Sequence, residues 1–131
     1  MIVADTAALL AVVDRRDQRH HMAASVVRGG DRLVLPAGIM GELAYMVESR
    51  VSGAAFDAVL RDIERGLYML DCGEGDIPRI RKLIRRYAGF PLGYADASVI
   101  ACAERLHAPV FTFDRRHFIV VASEGSFTVV P

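Results

Sequence analysis

Four carboxylates in this chain stand where carboxylates are awkward. Asp5 follows the apolar run Ile2-Val3-Ala4, and Asp114 follows the run Val110-Phe111-Thr112-Phe113. Asp96 and Glu42 belong to helical patterns. Stepping around each helix at about 100° per residue, Asp96 shares a stripe with Val99, Ile100 and Ala103, and Glu42 lies at a stripe edge between Ile39 and Met46. An unpaired buried carboxylate is costly, and no lysine or arginine occupies the matching stripes. A hard divalent cation, Mg²⁺ or Mn²⁺, resolves the conflict, because it takes oxygen ligands and keeps water and substrate phosphate in its shell. One such ion can activate water, and two can clamp the attacking and leaving oxygens at phosphorus. Thr112 stands two residues before Asp114 and shares its face if the strand continues, so its hydroxyl can orient a carboxylate or a water. Each acid also has a plainer reading: Asp5 as a helix N-cap, Glu42 as a boundary residue. Spacing alone leaves a metal site and a scatter of caps both open.

The elements that must position these acids alternate. The pattern predicts strands at Ile2–Ala4, Leu33–Leu35, Leu67–Leu70 and Val110–Phe113, and a last one near Phe127–Val130. It predicts helices over Ala7–Val13, His20–Arg28, Pro36–Arg50 (Pro36 as an opening proline), Ala54–Arg65 and Asp76–Ala88, and another carrying Asp96. Alternation of this kind implies a mostly parallel central sheet with helices on both faces, a three-layer α/β/α domain. In open sheets of this class the ligand crevice lies at the carboxyl ends of the strands, where Asp5 and Asp114 fall.

With 131 residues the chain makes one domain, and 53% hydrophobic residues exclude a disordered one. No apolar run reaches the roughly 18 residues of a membrane helix, and MIVADT has no signal-peptide character, so a cytoplasmic location is expected. Cys72 and Cys102 are isolated, which fits a reducing compartment and argues against zinc. His20 and His21 read as solvated. Net charge is zero, yet fifteen of the sixteen bases are arginine. Arginine suits phosphate, although an arginine-rich coding bias explains the count equally well. Arg79, Arg81, Lys82, Arg85 and Arg86 gather on one helix face, either as phosphate contacts or as a solvated face.

At these residues the chain resembles the PIN-domain endoribonucleases, specifically the VapC-type toxins of bacterial toxin–antitoxin systems. The matching pieces are Ile2-Val3-Ala4-Asp5-Thr6-Ala7-Ala8-Leu9, Gly41-Glu42-Leu43, Tyr94-Ala95-Asp96-Ala97, and Thr112-Phe113-Asp114-Arg115-Arg116-His117-Phe118, in family order over essentially the whole chain. The resemblance implies a PIN-like fold and a Mg²⁺- or Mn²⁺-dependent cut of structured RNA, often tRNA or ribosomal RNA. It places the acidic quartet on Asp5, Glu42, Asp96 and Asp114, with Thr112 as its hydroxyl residue. Many relatives carry a further acid three residues after the last; here that position is His117, which could contact phosphate. A homodimer is implied, as is a small antitoxin whose tail fills the groove and active site. The helices from Pro36 to Arg65 would form that groove. Arg15, Arg16, Arg115 and Arg116, with Arg79, Lys82 and Arg86, are candidates for RNA backbone contacts.

Rival readings fit less of the chain. A phosphoacceptor receiver domain needs an acidic pair after its first strand and a lysine ending a late strand, whereas Asp5 stands alone and Lys82 is helical. A dinucleotide-binding domain needs a GxGxxG that is absent. A catalytically silent RNA-binding scaffold would be expected to lose acids of the quartet, and all four are present.

Overall fold

The computed structural model describes residues 1–131. Five short strands, β1 (Ile2–Ala4), β2 (Leu33–Pro36), β3 (Tyr68–Asp71), β4 (Val110–Phe111) and β5 (Val129–Val130), form one sheet in the order β3-β2-β1-β4-β5. Every neighbouring pair is parallel. Seven helices connect them: α1 (Thr6–Val13), α2 (His20–Arg28), α3 (Met40–Arg50), α4 (Gly53–Glu64), α5 (Ile77–Arg86), α6 (Tyr94–Leu106) and α7 (Arg115–Ala122).

Strand periodicity sorts the core into two layers, because successive side chains point to opposite faces. Ile2, Ala4, Leu33, Leu35 and Phe111 pack with α1 to α4, on residues such as Leu9, Leu43, Val47 and Val59. Val3, Val34 and Val110 face the other way, onto Ile80, Leu83, Ile100, Phe118 and Val121 of α5 to α7. Both faces are covered, which is why the strands read as continuous apolar runs.

The order of strands reverses at β1. Strands β2 and β3 extend to one side of it, while β4 and β5 extend to the other. In sheets of this kind the ligand crevice lies at the carboxyl ends of the strands where the order reverses, and here the chain leaves β1 and β4 through Asp5 and through Thr112 to Asp114.

Four details differ from the sequence pattern. Pro36 ends β2, opposite Asp71, and does not open a helix; its φ of −63° suits an extended strand end as well as a helix start. A 3₁₀ turn, Ala37–Ile39, then leads into α3. Strand β4 stops at Phe111, because Thr112 turns into a local hydrogen-bond network. Residues 115–122 form α7, which the sequence pattern did not suggest; Phe118 and Val121, one turn apart, supply its buried face. His20 is half-buried, its Nδ1 being 2.8 Å from the Ala11 carbonyl oxygen, so α1 and α2 are tied together there.

Candidate active site

Asp5 is the anchor of the crevice. It caps α1, with Oδ1 accepting from the Ala8 amide at 2.8 Å. Its other oxygen, Oδ2, accepts a short hydrogen bond from the Thr112 hydroxyl. Thr112 Oγ1 in turn accepts from the Asp114 amide at 2.9 Å. Thr112 is completely buried and Asp5 nearly so, at 4% exposure. Both readings of Asp5 therefore hold at once: one oxygen caps a helix, and the carboxylate still lies against the crevice.

Asp114, at the N-cap position of α7, is half-exposed, and its Oδ2 lies 2.9 Å from His117 Nδ1. The His117 ring sits 5.2 Å from the Phe90 ring, which fixes its plane beside the acid. Asp96 enters from the first turn of α6 and is half-buried. Glu42 occupies the first turn of α3, where it is exposed, not partly buried as its stripe position suggested. Its long side chain starts from the helix's outer edge, and the apolar stripe beside it is filled by Leu43.

These acids feel one another. Asp5 is pushed up to about 6, first by burial and then by the charges of Asp96 and Asp114, although the Thr112 and Ala8 hydrogen bonds oppose the rise. Asp96 is also pushed up to about 6, again first by burial. His117 pulls it down, and Asp114 and Glu42 add to the rise. Both rises come mainly from taking a carboxyl out of water, with neighbouring carboxylates adding to them. No three Asp, Glu, His or Cys side chains converge tightly enough to enclose an ion by themselves. An open set of oxygen donors is nonetheless what Mg²⁺ or Mn²⁺ uses, since these ions bind through one or two carboxylates and keep waters and substrate oxygens. By that criterion the residues fit such a cation.

Gly38 sets how closely the turn before α3 approaches α6. A Cβ there would come within 2.7 Å of Ser98 Cβ and 3.2 Å of Tyr94 Cε1, so only glycine lets the turn before α3 lie against the first turns of α6. Sequence reading did not single it out, and nothing in its local pattern marks it.

The arginines divide. Arg115 and Arg116 lie exposed in the first turn of α7, next to Asp114, with Arg115 Nη1 donating to the Pro131 carbonyl at 2.8 Å. Arg79 forms a two-pronged pair with Glu104, at 2.7 and 2.9 Å. Glu104 is eight residues beyond Asp96 on α6, roughly 12 Å along the helix axis. Arg86 pairs with Glu124 at 2.8 Å, and Lys82 is exposed on the same helix. The α5 cluster thus lies away from the acids, with two of its cations already engaged. Arg105, which the sequence reading passed over, bridges Asp71 and Asp76 at 2.6 and 2.8 Å and clamps the end of β3 to α6.

The sheet is parallel and reverses order at β1, with Asp5 and Asp114 following the two strands that meet there. The PIN domain model matches residues 2–124, and the chain belongs to that family. Within it, the full-length likeness is to VapC-type members. The chain is 33% identical to Ribonuclease VapC26 of Mycobacterium tuberculosis over 135 residues, covering 99% of this chain and 100% of that protein. Among solved structures, M. tuberculosis VapC20, described as a Sarcin-Ricin loop cleaving toxin, superposes with a TM-score of 0.81 at 15% identity, covering 92% of this chain and 95% of that one. VapBC2 from Rickettsia felis, bound to a promoter DNA fragment, gives a TM-score of 0.72 at 14% identity, covering 99% and 98% of the two chains. FitAcB from Neisseria gonorrhoeae gives 0.65 at 18% identity, covering 100% and 97%.

Proposed function

We propose that this chain is a divalent-metal-dependent endoribonuclease and the toxin of a VapBC-type toxin–antitoxin pair. Its substrate is structured RNA such as tRNA or ribosomal RNA, whose hydrolysis stops translation. The observation that carries the reading is the pair Asp5 and Asp96. They sit at the switch point of a PIN sheet and are both raised to about 6 by burial and by neighbouring carboxylates. The name of the relative, a ribonuclease matched over its full length, supports the same chemistry.

Asp5, Asp96, Asp114 and Glu42 are the residues that would hold Mg²⁺ or Mn²⁺. The cation, when bound, supplies Lewis acidity at the phosphoryl oxygen and favours ionisation of the attacking water. The chain's own contribution is placement and charge. Thr112 fixes Asp5 and the Asp114 backbone as one unit, and Phe90 and His117 fix the Asp114 carboxylate. Arg115, Arg116 and His117 flank the acids and would contact RNA phosphates, while Arg79, Lys82 and Arg86 would serve only a longer RNA reaching over α5.

The antitoxin would dock on α3 and α4. There Tyr45 and Leu60 stay 71% and 45% exposed, although Leu43, Val47 and Val59 of the same helices are buried. Exposed apolar side chains on these two helices suit an amphipathic peptide. That the similar Rickettsia felis protein is seen as VapBC2, a VapB–VapC assembly, supports such a partner. A homodimer and a cytoplasmic setting complete the proposal; no helix is long and apolar enough to cross a membrane.

The test is cleavage of total cellular RNA by purified protein with Mg²⁺, with Mn²⁺ and with chelator, mapping new 5′ ends, alongside Asp5→Ala. Discrete ends that require metal and vanish in Asp5→Ala are the expected result. Folded, antitoxin-free protein that cuts nothing would leave an RNA-binding scaffold as the better account.

A further inference from the structure

One feature beside the crevice belongs to none of the residues assigned above. Phe113, between Thr112 and Asp114, turns to the sheet face opposite the α5–α7 layer and packs edge-on against Phe111, with ring centroids 5.6 Å apart. The Arg19 guanidinium lies over its ring, 5.0 Å from the centroid. Asp17, only 10% exposed, holds the edge of that guanidinium through Arg19 Nε at 3.2 Å and Nη2 at 3.4 Å. Face and edge are thus both fixed. Arg19 Nη1 makes no hydrogen bond within the protein, and the side chain remains 43% exposed.

The surroundings are polar and open. Asp14, Asp17, Gln18, Arg19 and Arg50 line a depression of about 520 Å³ with no apolar member. Arg15 and Arg16 of the same loop are exposed, and Arg16 reaches the Arg50 carbonyl at 3.4 Å. Arg19 and Arg50 balance Asp14 and Asp17 within the depression, and the positive excess comes from Arg15 and Arg16, exposed beside it on the same loop. Bond lengths and the stacking distance place the Arg19 guanidinium no more than roughly 15 Å from the Asp114 carboxylate. A guanidinium preorganised by an aromatic face and a paired carboxylate loses little entropy on meeting a phosphate.

We propose that the Arg19–Phe113 pair is a substrate subsite, in which Arg19 binds an RNA backbone phosphate within a few nucleotides of the scissile bond and Phe113 holds it in position. This rests on the ribonuclease reading. Arg19 is the binding residue, and Phe113 and Asp17 are positioning residues.

The experiment pairs cleavage kinetics with binding. Full-length wild type, Arg19→Glu, Arg19→Ala, Arg19→Lys and a distant control, Arg28→Glu, are compared, with cleavage read at one near-physiological salt concentration and binding read across a salt series. Binding is read by anisotropy of a labelled mixed-sequence RNA in chelator. Arg19→Glu is expected to raise KM and Kd about tenfold with little change in kcat, and Arg28→Glu to change neither. Arg19→Ala should lower the log Kd against log salt slope by about 0.7, one phosphate contact on a single strand, with Arg19→Lys restoring most of it. A merely structural Arg19 would leave that slope unchanged. If wild type cleaves and Arg19→Glu matches it in KM, Kd and slope, the subsite is overturned and the nuclease reading stands. If wild type neither cleaves nor binds RNA, both fall.

Discussion

Thr112 donates its hydroxyl hydrogen to Asp5, a residue 107 positions away, and so joins the end of β4 to the end of β1 at the sheet's switch point. The same oxygen accepts the Asp114 amide, so one buried hydroxyl orients two of the acids. Thr112→Val keeps the shape but removes the partner of the half-buried Asp114 amide and of one buried Asp5 oxygen. We expect a stability loss of about 1–3 kcal/mol in urea unfolding and a similar loss of transition-state stabilisation, on the order of 10- to 100-fold in RNA cleavage. Thr112→Ser, which keeps the hydroxyl, should retain most of both. Equal activity of the valine and serine variants would remove the hydroxyl from the mechanism.

Asp96 makes stability depend on pH in a direction that can be worked out. Its proton affinity rises from 3.8 in the unfolded chain to about 6 in the fold, so between these values folding takes up a proton. The destabilisation is absent below pH 3.8 and complete above about 6. Without divalent cation, Asp96→Asn should therefore be more stable than wild type at neutral pH. The gain should be on the order of 1 kcal/mol, allowing for solvent screening of this half-exposed group. It should shrink to nothing as pH falls towards 4. Thermal melts of both proteins across that range, with chelator present, check the sign. The substitution should also remove RNA cleavage, which separates the stabilising effect from function.

How far the sequence exposes this site depends on what kind of contact makes it. Asp5 and Asp114 are legible because each follows an apolar strand-like run, and a parallel sheet sends all its carboxyl ends to one edge. Asp96 is legible from helix periodicity. Glu42 carries the right residue type, but its exposure is not readable, since position on a stripe edge does not say which neighbour fills the stripe. Helix α7 escaped because its buried face is only Phe118 and Val121, too few positions to establish a period. The engagement of Arg79 and Arg86 escaped for another reason: their partners, Glu104 and Glu124, are distant in sequence, and a run of cations looks the same free or paired. Arg19 over Phe113 is likewise a contact between distant segments, with no local signal at either end.

The acidic edge predicts a response to metal that does not depend on turnover. An ion that binds the folded chain and not the unfolded one stabilises by mass action, about 2.7 kcal/mol at a hundred times its dissociation constant. Mn²⁺ and Mg²⁺ should therefore raise the melting temperature of wild type. Asp5→Ala, which removes an N-cap as well as a proposed ligand, should start lower and respond weakly. Wild type and Asp5→Ala responding alike to metal would place the cation elsewhere.

Gly38 gives the most direct test of how the fold spaces the acids, because it touches none of them. Its missing Cβ is the gap into which Ser98 and Tyr94 of α6 fit, and α6 carries Asp96 two positions after Tyr94. Gly38→Ala drives a methyl group to 2.7 Å from Ser98 Cβ, a contact no side-chain rotation relieves, so the turn before α3 must move off α6. Overpacking of this sort costs about 1–3 kcal/mol. The turn leads directly into α3, so Glu42 would be carried away from Asp96 as it shifts. We expect kcat in RNA cleavage to fall on the order of tenfold or more, as small misplacements of reacting groups do. The melting temperature should drop by several degrees. Gly41→Ala, three residues on in α3 and with open space at its Cβ, is the matched control and should leave kcat unchanged and the melting temperature no lower. If Gly38→Ala loses stability but keeps full kcat in the folded protein, the spacing of Glu42 from Asp96 is not set here, and Glu42 has no part in the reaction that depends on it.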